Sequence, residues 1–213
     1  TTSTLKSLKE YDWKIIAKAL VPTFILATGA GLSIPFMDLF FHHVHGFSST
    51  EFSRLGSVTF FLVFSMILFV PSIKDKFGYK KAIPATQGSA ILILMILALT
   101  DYFSDYYWAF IIASCCYMLR QPIMNMAQPM TTDLVMKYVG EKNQELVSAI
   151  YSTIWSGTFV ISSFIFGTLR DLEFRYAHIF FITAFLYIVG LTLYILLILD
   201  FEKKEKLTAT QNG

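Results

Sequence analysis

A chain of 213 residues and 24.3 kDa, 55% hydrophobic, 16% aromatic and only 15% charged, has a mean hydropathy of +0.58. Soluble domains carry about 25% charged residues, so an ordinary water-soluble globule is excluded, and 21 Phe with 11 Tyr exclude a disordered chain. The formal charge of +2 is too small to point to a nucleic-acid partner, and the adjacent Cys115 and Cys116 cannot build a disulfide framework or a metal site. The composition is that of an integral membrane protein.

A bilayer core of about 30 Å takes roughly 20 apolar helical residues per crossing. Six stretches meet that length, at 15–41, 55–73, 82–100, 106–130, 146–169 and 176–199. In lipid the backbone must satisfy its own hydrogen bonds, so these are read as helices, and the short alternating segments of a barrel are absent. The reading is a lead-in at 1–14, a six-helix bundle over 15–200 and a charged tail at 201–213. The first span follows a polar opening and runs too long for a signal peptide.

In chain order, the first span holds Gly29, Gly31, Pro35 and, near its far end, Asp38. His42, His43 and His45 follow, and without a further ligand at tetrahedral spacing they read as a wet, pH-sensitive loop rather than a metal site. The second span leads into the basic turn Lys74-Asp-Lys-Phe-Gly-Tyr-Lys-Lys81. After the third span, Tyr102, Phe103, Tyr106, Tyr107 and Trp108 read as an interfacial anchor. The fourth span carries Arg120 near its middle, where an exposed charge costs at least about 2.5–3.5 kcal/mol. Helical spacing puts Gln121, Met124, Asn125 and Gln128 on the same or adjacent faces, forming a polar strip. Two readings of Arg120 stand: a substrate or coupling residue, or a structural ion pair or interhelical hydrogen bond. Asp38 matches it in sign but lies roughly 10–15 Å away in depth, a gap that a helix break at Pro35 could narrow. Asp38 is otherwise a candidate for proton or solute binding at the outer mouth. The fifth span has small residues at packing spacing, Ser148, Ser152, Ser156, Gly157, Ser162, Ser163 and Gly167, and Trp155, which either lines a cavity or packs.

Thirteen of the 17 basic residues, all of them Lys, fall at one end of the alternating spans, and only Arg54, Arg170 and Arg175 at the other. Both termini are therefore expected to be cytoplasmic. The turn around Asp75 is echoed after the fifth span, where Leu169-Arg170-Asp171 aligns with Ile73-Lys74-Asp75. One copy lies inside and the other outside, as a 3+3 inverted repeat requires.

The turn, with Asp75, Lys76, Gly78, Lys80 and Lys81 in register and Pro71 in place of a leading Gly, resembles the loop motif of the major facilitator superfamily. Gly29-Ala-Gly-Leu-Ser-Ile-Pro-Phe36 looks like that family's seventh helix, and Arg120-Gln-Pro-Ile-Met-Asn-Met-Ala-Gln-Pro129 like its tenth. The resemblance implies the carboxy-terminal six-helix half of a secondary transporter that moves a small solute by alternating access, with a proton as a candidate coupling ion. It implies a bacterial inner (plasma) membrane setting. The partner would be an amino-terminal six-helix bundle absent from this chain, or a second copy. Arg120 would attract an anionic group or fix a protonatable partner, and the Asp75 turn would act as a gate; otherwise it is a topology-setting basic loop. Two rivals remain, a non-transporting six-helix scaffold or receptor-like module and a self-pairing half-size transporter. No nucleophile elbow, phosphate-cradling loop or paired metal motif is present, so neither catalysis nor a cofactor is expected.

Overall fold

The computed structural model describes residues 11–211, in which every regular element is helical. Helix α1 (Trp13–Ser33) is capped by Asp12, whose carboxylate accepts from the Ile15 N–H. Pro35 then sits in a single 3-10 turn, Ile34–Phe36, before α2 (Met37–His45). The first expected span is thus one broken rod, because proline removes a backbone donor and disfavours a helical residue before it. Helix α3 (Ser49–Ile67) opens with a reciprocal capping box between Ser48 and Glu51. Helices α4 (Val70–Leu99), α5 (Tyr107–Val139), α6 (Glu141–Asp171) and α7 (Tyr176–Gln211) complete the bundle.

Two expectations change. The basic turn is helix from residue 70, broken only at Gly78, where φ 64° and ψ 174° lie in a region open to glycine alone. The charged tail also continues as helix through Gln211. Its Lys and Glu residues are good helix formers, and ion pairs Asp200–Lys204 and Lys80–Glu202 hold its first turns. The lead-in residues 1–10, with Lys6 and Lys9, and residues 212–213 lie outside the described residues.

Helices α1, α4, α5 and α7 form the centre, with α4 packed on both α5 and α7 and α1 on α7. Helix α3 leans chiefly on α5, and α6 chiefly on α1. The α1–α6 contact is close: a Cβ at Gly31 would come within 2.7 Å of Ser162 Cβ, and the Ser162 hydroxyl donates to the Thr28 carbonyl at 2.9 Å. Of the expected small-residue face of α6, only Ser162 is buried; Ser148, Ser152, Ser156 and Gly157 stay exposed.

Among the described residues, four segments are long and apolar enough to cross a membrane: Trp13–His45, Val70–Phe103, Glu141–Asp171 and Tyr176–Leu207. Helix α3 falls outside that set with Glu51 and Arg54 in its early turns, and α5 with Arg120 and its polar neighbours along its length.

Candidate functional site

The polar strip of α5 meets a cavity of about 80 Å³ in the middle of the bundle. Gln121, Asn125 and Gln128 line it from α5, Thr23 and Ala30 from α1, and Tyr151 and Trp155 from α6. Gln87 of α4 and Tyr187 and Tyr194 of α7 complete it. Asn125 donates its amide N–H to the Gln121 carbonyl, the ordinary bond of a helical carboxamide to the preceding turn. The Tyr194 and Thr23 hydroxyls share a hydrogen bond of 2.7 Å, and Thr132 donates to the Tyr151 oxygen at 3.0 Å. Two buried polar atoms of the lining residues, the Gln87 Oε1 and the Trp155 indole Nε1, find no partner among the described residues. Leaving such a group unpaired costs about 1–3 kcal/mol, and a site that awaits a ligand is one reason it persists.

Arg120 is adjacent to the cavity but not on its surface. It is 0% exposed, its Nη2 donates to the Tyr187 hydroxyl oxygen at 3.2 Å, and the guanidinium lies 5.7 Å from the Tyr187 ring centre. Its Nε and Nη1 have no hydrogen-bond partner. No carboxylate forms an ion pair with it among the described residues. The structure brings Gln121, Asn125 and Gln128 to one cavity and puts Arg120 behind Tyr187. Asp38 stays elsewhere: it is exposed, its Oδ1 accepts from the Leu39 N–H at 2.8 Å, and it borders a separate recess with His42 and Phe52. The break at Pro35 does not carry it to Arg120.

At the lysine-rich end, the ionic centre is Asp133 of α5. It accepts from Lys74 at 2.8 Å and from the Tyr79 hydroxyl, and pairs with Lys137 at 3.5 Å. Asp75 is exposed and makes no such bond among the described residues; Lys76 lies over the Phe77 ring, Lys80 reaches Glu202 at 3.7 Å, and Lys81 is exposed. Residues 70–77 are already helix, which turns Asp75 outward. A second carboxylate, Asp200, ties three helices by accepting from Lys18 at 2.9 Å and from the Tyr138 hydroxyl at 2.5 Å. At the opposite end the buried Asp101 pairs with Arg175 and accepts from the Ala177 N–H at 2.8 Å. His43 bonds the Tyr176 hydroxyl at 2.7 Å and His45 the Thr100 hydroxyl at 3.1 Å.

Tyr187 and Gln87 escape a reading of the sequence. A tyrosine in an apolar span looks like any core aromatic, whereas Gln87, a lone carboxamide in the third span, is a signal that could have been followed. Asp133 lies just beyond the expected fourth span and invites no notice there.

An all-helical bundle of apolar segments around a mainly apolar cavity that a few carboxamides and hydroxyls enter is a membrane protein. Residues 2–163 match the family described as Major Facilitator Superfamily. That is more than half of the chain, and the chain belongs to that superfamily, whose members are transporters. No curated protein and no solved structure matches it.

Proposed function

We propose that this chain is one six-helix bundle, of carboxy-terminal type, of a secondary active transporter that moves a small solute by alternating access. The observation that carries the reading is the convergence of Gln121, Asn125 and Gln128 on one central cavity in a chain of this superfamily. Polar side chains at that depth are costly unless they face a cavity or a partner. In this reading α3 and α5 also cross the membrane. The pattern of neighbours supports a 3+3 repeat: α1 packs on α6 and α7 as α5 packs on α3 and α4, while α4 meets α7.

The exposed faces of α3 and α6 would meet an amino-terminal bundle or a second copy. Lys74, Tyr79 and Lys137 around Asp133 would hold the lysine-rich end, with Asp75, Lys76, Gly78, Lys80 and Lys81 forming the moving turn. The lysine excess would place both termini in the cytoplasm, in a bacterial inner membrane setting. Arg120 is assigned to substrate or coupling, and Asp38 to the outer mouth as a proton or solute contact.

The test labels single cysteines with a membrane-impermeant thiol reagent, in a background with Cys115 and Cys116 replaced by Ser. Asn125→Cys and Gln128→Cys are expected to react, and Leu92→Cys, which faces outward, is not. Protection of both cavity positions would favour the scaffold instead.

A further inference from the structure

Resting on the reading of the cavity as a solute path, we propose that it takes a small solute bearing an anionic oxygen group, held by Tyr187 under the buried charge of Arg120 and by the indole N–H of Trp155. Arg120 supplies a positive charge that no carboxylate of the described residues neutralises within ion-pair distance. Inside a low-dielectric bundle such a charge acts over a longer range than in water. It reaches the cavity through one group. The Tyr187 oxygen accepts from Arg120 Nη2, which leaves the hydroxyl proton to be donated elsewhere, and Tyr187 lines the cavity. A hydroxyl whose oxygen accepts from a cation is polarised into a stronger donor. Trp155 also lines the cavity, and its Nε1, a second donor, is buried and unpartnered among the described residues. Indole N–H can only donate, so the orphan group calls for an acceptor on the solute. Gln87, 2% exposed and with no partner for its Oε1, offers a polar contact to the remainder of the solute. A cationic solute would meet the uncompensated guanidinium and be repelled. A neutral one would leave that charge unbalanced.

Two sources share the chemistry, a carboxylate and a phosphate. The test uses the full-length protein in lipid nanodiscs at constant ionic strength, with acetate, lactate and inorganic phosphate as anionic probes. Acetamide and lactamide serve as neutral partners of closely similar shape. At least one anion is expected to raise the thermal unfolding midpoint saturably by a few degrees, and the amides are expected to leave it unchanged. A shift with lactate or acetate identifies a carboxylate, and one with phosphate alone a phosphate. Arg120→Gln should abolish the shift, and Tyr187→Phe should raise the half-saturating concentration about tenfold, the size of one charge-assisted hydrogen bond. A cooperative ligand-free unfolding transition in each variant verifies that it is folded. Amides that stabilise as well as the anions, a shift that survives Arg120→Gln, or no response to any anion each overturn the proposal. Aqueous labelling of Asn125→Cys in the same nanodiscs separates the two failures: if it labels, only the anionic class falls, and if it does not, the solute-path reading falls with it.

Discussion

Arg120 holds a full positive charge at 0% exposure with one hydrogen bond and two unpartnered nitrogens. Groups in that state reduce stability, and an apolar residue of similar length removes the cost. Arg120→Met is therefore expected to stabilise the bundle by about 1–3 kcal/mol in denaturant unfolding, while solute response is lost; a marked destabilisation would mean that the guanidinium is structural. The residue is legible in the sequence because a charge within an apolar stretch has no bland setting. Its seat behind Tyr187 is not legible, since the sequence carries depth along a helix but not which neighbouring helix covers a side chain. The same gap explains Asp38. Sign and a nearby proline suggested a meeting with Arg120, and the rotation of α2 turns the carboxylate to another recess.

At the scale of the helices, contact is set by small residues and by carboxylates at the bundle ends. A methyl at Gly31 would strike Ser162 at 2.7 Å. Gly31→Ala is expected to cost about 1–3 kcal/mol by overpacking, and Ser162→Gly in the same chain should restore much of that loss because it removes the opposing Cβ. A double-mutant cycle in thermal unfolding reads the coupling directly; additivity would show that α1 and α6 do not meet there. The Asp133 cluster behaves differently. Its paired side chains are 32–50% exposed, where such bridges contribute about 0–1 kcal/mol. Asp133→Asn should thus change stability by less than about 1 kcal/mol yet speed backbone hydrogen exchange over residues 70–81, since Lys74 and Tyr79 lose their common anchor. Unchanged exchange would remove Asp133 as the holding group. The basic turn was legible as a motif, with its glycine at the one break. The acid it works against was not, because that partner, Asp133, lies 59 residues from Lys74 in the sequence, on α5.

The molecule as a whole has a well-covered centre and two thinly covered flanks. Only Thr59 of α3 is buried, and Phe60, Phe61 and Phe64 project from it; α6 buries a narrow stripe that includes Val147, Tyr151 and Phe166. Hydrophobic length made the helices legible, but length alone does not say which helices surround a cavity. That depends on side-chain rotation and on close approaches such as Gly31 against Ser162. The flanks suit lipid on one side and a second bundle on the other, and in the proposed transporter the central cavity opens in turn to each face of the membrane. The most direct measurement labels Asn125→Cys with an impermeant thiol reagent in right-side-out and in inverted vesicles. Alternating access predicts reaction from both faces. Reaction from a single face, or from neither, would contradict it.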